Sequence, residues 1–120
     1  MKPKDQDQKM KKSGVIYRVR CDSCSDNYVG ESGRVFEDRF KEHLKAPSPI
    51  YLHHSKSGHP LPSENNVDIL AREGHSFSRQ IKESMFIRTN NPSMNRNIGK
   101  YELPRVYDVL LEDCIDLKFK

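Results

Sequence analysis

The chain contains no tryptophan, and only 34% of its 120 residues are hydrophobic. So thin an apolar supply fits one domain with one modest core, which a structural metal would help to hold. No apolar run approaches the roughly 20 residues of a membrane-spanning helix, so no membrane partner is expected. The N-terminus also lacks the apolar segment of a secretory signal, and an intracellular setting is expected. Disulfides are uncommon there. Cysteine is scarce as well. Of the three present, Cys21 and Cys24 have the spacing Cys-x-x-Cys, which favours a metal or redox role over a disulfide framework. Cys114 is left over and reads as a packed thiol without chemistry.

Excess charge of one sign is confined to one end. The formal net charge is +4, but residues 1–12 alone hold five lysines against two aspartates. The remainder is close to neutral. Residues 1–12 are therefore expected to form a disordered basic arm with weak attraction for phosphate, and residues 13–120 the domain.

What is present reads as short elements. Val15–Val19 is β-branched and aromatic, a strand, and Asn27–Gly30 is a second, joined by a turn over 21–26. Strands so close in sequence pair antiparallel. Ser32 is placed to cap a helix on which Phe36, Phe40 and Leu44 share a face, with Glu37 and Lys41 as an exposed pair. Pro47 and Pro49 end it. Residues 46–66 show no sustained period and read as a long loop, with at most a helical turn over 50–54. Loops of that length are functional or tied down. Val67–Ala71 fits a third strand. Phe77, Ile81 and Met85 mark a helix from 76 to 89, broken at Asn90-Asn91-Pro92-Ser93. A loop over 94–102 and a short helix over 105–111 follow. The order predicts an α+β fold, a small three-stranded antiparallel sheet flanked by helices.

Cys21 and Cys24 sit on one tight turn, the knuckle spacing by which two thiolates grip a tetrahedral ion. The histidine-rich loop offers the missing pair: one of His53 or His54, with His59. Such a site would pin the loop to the first hairpin. All four positions would be filled by protein, which makes the zinc structural. A redox Cys-x-x-Cys needs a βαβ setting, whereas this motif joins two adjacent strands.

Ile16-Tyr17 on the first strand and Tyr28-Val29-Gly30 on the second resemble the paired tripeptides of the GIY-YIG endonucleases. The first tripeptide here is Val-Ile-Tyr, with Gly14 just before it. The helix Phe36-Glu37-Asp38-Arg39-Phe40-Lys41-Glu42-His43 is similar to the family's first helix, whose arginine and histidine face the active site. Glu83 matches the family's metal-binding glutamate and Asn95 its asparagine in the following loop. Within the family the chain looks most like the endonuclease domain of Penelope-like retroelements, over residues 14–110. Those domains carry a Cys-x-x-Cys between the tyrosine motifs and two histidines separated by five residues. That spacing implies His53 with His59 and leaves His54 a bystander.

The resemblance implies a divalent-metal-dependent DNA endonuclease that nicks or cuts a phosphodiester bond, acting in the nucleus with a fused or associated reverse transcriptase. The implied catalytic set is Tyr17, Tyr28, Arg39, His43, Glu83 and Asn95. One carboxylate with waters and substrate oxygens is how Mg2+ (or Mn2+) is commonly bound, and Glu83 would supply it. The charge gathering on the phosphate oxygens is what that cation and the Arg39 fork would neutralise. Tyr17 is the implied proton acceptor for the attacking water, Tyr28 a hydrogen-bond partner of phosphate or water, and Asn95 an orienting group. Each residue alone has a plainer reading. Strand tyrosines pack, Arg79 four residues before Glu83 can pair with it, and His43 suits a helix C-terminus. The alternative for the whole chain is a zinc-stabilised nucleic-acid-binding or interaction module that does not cleave.

Overall fold

A three-stranded antiparallel sheet forms the middle of the molecule, in the order β2-β1-β3. Its strands are β1 (Val15–Arg20), β2 (Asn27–Ser32) and β3 (Val67–Arg72). This computed structural model describes residues 9–95. The expected short helix over 105–111, most of the loop before it and Cys114 lie outside them. The α+β class and the three antiparallel strands follow the sequence reading closely.

β1 is central, and Val15, Ile16, Tyr17 and Val19 are all fully buried because both faces of the sheet are covered. Side chains alternate across a strand, so the faces carry different cores. Val15, Tyr17 and Val19 pack with Phe36, Phe40 and Ile50 from two helices, α1 (Phe36–His43) and α2 (Pro49–Ser57). Ile16 and Val29 pack on the opposite face against Phe86 and Ile87 of α3 (Ser76–Asn90). The β1–β3 register shifts between Ile16 and Tyr17, which sets Tyr17 opposite Ile69 on one side and Gly30 on the other.

Four expectations need correction. Ser32 does not cap α1. It ends β2, and its hydroxyl bonds both backbone groups of Arg34, while Val35 stands at the helix N-terminus without a side-chain cap. Residues 46–66 are not a structureless loop: they contain α2 and a turn of 3-10 helix over Glu64–Asn66. The local signals are a side-chain cap from Ser48, Pro49 at the first turn and Gly58 in the left-handed region at the end. On α3 the buried residues are Arg79, Ser84, Phe86 and Ile87, and Phe77 is 54% exposed. The N-terminal turn of α3 is held by a charge, Arg79 on Glu31 at 2.5 Å, so the apolar stripe turns inward only further along. Finally, residues 9–12 belong with the domain rather than with an arm. Met10 is buried in the core, Lys9 Nζ donates to the carbonyls of Glu64 and Val67, and Lys12 O receives the Phe36 amide.

Candidate active site and metal centre

Tyr17 is the centre of the site on the α1 side of the sheet. Its ring crosses Gly30, its partner on β2, and a Cβ there would stand 2.6 Å from the phenol oxygen and 2.9 Å from Tyr28 Cε1. Only glycine permits that overlap. The Tyr17 hydroxyl meets His43 Nε2 at 2.5 Å, and His43 Nδ1 lies 3.1 Å from Ser48 Oγ. The rings of Tyr17, Tyr28 and His43 form a cluster, with Tyr17–His43 centroids 5.6 Å apart and Tyr28–His43 5.1 Å.

α1 delivers Arg39 and His43 to this cluster from one face, since residues four apart share a side. The Arg39 guanidinium lies close enough to both phenols for its charge to act on each. It also donates to Glu42 Oε2 at 3.0 Å, and Glu42 takes Arg34 Nη2 at 2.7 Å on both of its oxygens. Arg34, then Arg39, hold the Glu42 carboxyl below the usual carboxylate range. Burial pushes both phenols above the ordinary tyrosine pKa, with the Arg39 charge pulling the other way. Both tyrosines are therefore protonated donors at neutral pH. Burial, then the Arg39 charge, lower the His43 pKa to about 3, so its imidazole is neutral. Glu83 is carried by α3, and its charge acts on both phenols.

The site opens on one side. A cleft of about 460 Å³ is bounded by Tyr28, Arg39, His43, Lys45, Pro47 and Ser48. Tyr28 and Arg39 reach it, whereas Tyr17 is wholly buried behind them.

The structure thus brings Tyr17, Tyr28, Arg39 and His43 together, with Glu83 within electrostatic reach. Asn95 does something else. Its side-chain amide pairs with the backbone of Val29 at both ends, Oδ1 to the amide at 2.9 Å and Nδ2 to the carbonyl at 2.8 Å. β2 is an edge strand, and Asn95 completes its ladder beside Tyr28 and Gly30. The plainer reading of Arg79 also changes, because its guanidinium goes to Glu31 and to the carbonyls of Glu73 and Gly74.

Cys21, Cys24, His53 and His59 offer one ligand atom each, all within 4.8 Å of one another. Cys21 Sγ is 3.3 Å from His59 Nδ1, and Cys24 Sγ is 3.5 Å from His53 Nε2. Around a tetrahedral zinc, sulfur and nitrogen ligands stand about 3.5 Å apart, given bonds of about 2.3 and 2.1 Å. The donor set and its spacing fit such an ion. The turn after β1 supplies the cysteines, held by Cys21 N to Asp26 O at 3.0 Å, and α2 with its following segment supplies the histidines. His54 is not in the group and is buried with its ring edge against His53.

No family model, curated protein or solved structure matches the chain.

Three residues around these sites escape sequence reading. Asp26 Oδ2 lies 3.4 Å from His53 Nδ1, an outer carboxylate that orients a ligating imidazole. Glu42, at the i+3 position from Arg39, carries a legible pairing signal. Ser48 is visible only as a helix cap, and its contact with His43 needs the fold.

Proposed function

We propose that the chain is a GIY-YIG-type endonuclease, closest to the endonuclease domain of Penelope-like retroelements, which hydrolyses phosphodiester bonds in DNA with a divalent cation. The observation that carries this reading is one cleft lined by the Tyr28 phenol, the Arg39 guanidinium and the neutral His43 imidazole, with the buried Tyr17 phenol bonded to His43 behind them and the Glu83 charge acting on both phenols. Glu83, with waters and substrate oxygens, fits the ligand demand of Mg2+ or Mn2+. When bound, that cation supplies positive charge at the phosphate and acidifies the attacking water.

The chain's own residues divide the remaining work. Arg39 presents a planar fork of donors to the non-bridging oxygens, where negative charge gathers in the transition state. Tyr28, as the phenol on the cleft, donates to the phosphate or orients the water. Tyr17 is too buried to meet the water itself. Its phenol instead backs Arg39 and is held by His43. Asn95 fixes the strand that carries Tyr28. The zinc of the Cys21, Cys24, His53 and His59 group is structural, since four protein ligands leave no open position.

A second reading, a zinc-stabilised nucleic-acid-binding or interaction module without cleavage, draws on the complete burial of Tyr17. Incubation with supercoiled plasmid and magnesium tests between them. The endonuclease reading expects nicked product that Glu83→Ala abolishes. Equal product from wild type and Glu83→Ala overturns it.

A further inference from the structure

Neutral histidine has one donor and one acceptor nitrogen, and its two partners decide which is which. At His43 those partners are the Tyr17 hydroxyl and Ser48 Oγ. If Nε2 carried the proton, the Tyr17 oxygen would accept from His43, and its own buried proton would need another acceptor. With the proton on Nδ1, every group is satisfied. The Tyr17 O–H donates to Nε2, while Nδ1–H donates to Ser48. Ser48 Oγ also receives the Ile50 amide at 3.3 Å, which occupies its second acceptor site. Its own proton is left to point into the cleft it lines.

We propose that Ser48 is a positioning residue of the active site: its Oγ receives the Nδ1 proton of His43 and fixes the tautomer whose Nε2 holds the Tyr17 hydroxyl. Its placement is built into the chain. The residue before a proline is confined to extended backbone, and Ser48, before Pro49, has φ −54° and ψ 138°. The same backbone makes it the N-cap of α2, so one hydroxyl ties the zinc-bearing helix to the catalytic histidine. The kinetic part of this inference rests on the endonuclease reading; the tautomer does not.

The test uses the zinc-loaded full chain labelled with 15N, with imidazole nitrogen shifts reporting the tautomer. Ser48→Gly removes the hydroxyl at little capping cost, and Ser48→Thr keeps it. Wild type and Ser48→Thr are expected to hold His43 in the Nδ1–H form, and Ser48→Gly to mix in the Nε2–H form. In plasmid nicking, Ser48→Gly should lower kcat by roughly 10- to 100-fold with KM unchanged, as for other partners that orient a functional histidine, and Ser48→Thr should restore it. Wild-type His43 in the Nε2–H form, or a tautomer unmoved by Ser48→Gly, overturns the proposal. So does a Ser48→Thr variant as impaired as Ser48→Gly. If the tautomers behave as expected and wild type does not nick, the endonuclease reading fails and the tautomer-setting role stands.

Discussion

Gly30 shows how one absent side chain shapes the site. The Tyr17 ring occupies the space a Cβ would need, so Gly30→Ala must push the phenol off His43 or part β1 from β2. Overpacking of that kind costs about 1–3 kcal/mol. Denaturant unfolding of Gly30→Ala should show such a loss together with lost nicking, and a change below about 0.5 kcal/mol would contradict the packing. His43 carries a second residue-scale consequence. Its folded pKa, about 3, lies below the ordinary 6.5, so the unfolded chain binds its proton first as pH falls. Stability is therefore complete above about pH 6.5 and declines toward pH 3, by about 1.4 kcal/mol per pH unit from this group. Over pH 6.5 to 5, His43→Asn should flatten the measured stability slope by about that amount. An unchanged slope would show that His43 is not buried as a neutral ring.

At the scale of elements, the Cys21, Cys24, His53 and His59 group, which could hold a zinc ion, joins the β1–β2 turn to α2 and the segment after it. Metal binding of this kind is folding free energy, so its removal should loosen both. Cys21→Ser, His59→Ala or a strong chelator should lower the melting temperature by more than roughly 10 °C, read by calorimetry alongside metal analysis. Equal melting with and without chelator, or no zinc in purified protein, would contradict the site. Much at this scale was legible beforehand. β-branched and aromatic residues marked the strands, and the knuckle spacing with His53 and His59 marked the metal group. α2 was less so, because its histidines and serines hide the apolar period and only Ser48, Pro49 and Gly58 announce it. The buried face of α3 was legible only toward its C-terminal end, where Met85 packs against the Ile16 and Val29 cluster. Phe77, Ile81 and Met85 have the right spacing, yet Arg79 on Glu31 fixes the N-terminal end of the helix, a tertiary pairing absent from local sequence.

For the whole molecule, the order β2-β1-β3 decides what meets what. It puts Tyr17 on the central strand and Tyr28 on the edge, with α1 bringing Arg39 and His43 across one face, while α3, which carries Glu83, packs on the other. On the endonuclease reading, Arg39 sets positive charge at the phosphodiester transition state and Glu83 would hold the cation that adds to it. Their contributions should therefore behave as one unit rather than add. The decisive measurement is the rate of plasmid nicking in magnesium for wild type, Arg39→Ala, Glu83→Ala and the double variant. The account predicts that wild type nicks, that each single change lowers the rate by at least about 100-fold, and that the double variant is little worse than either. A wild type no faster than Glu83→Ala would contradict it.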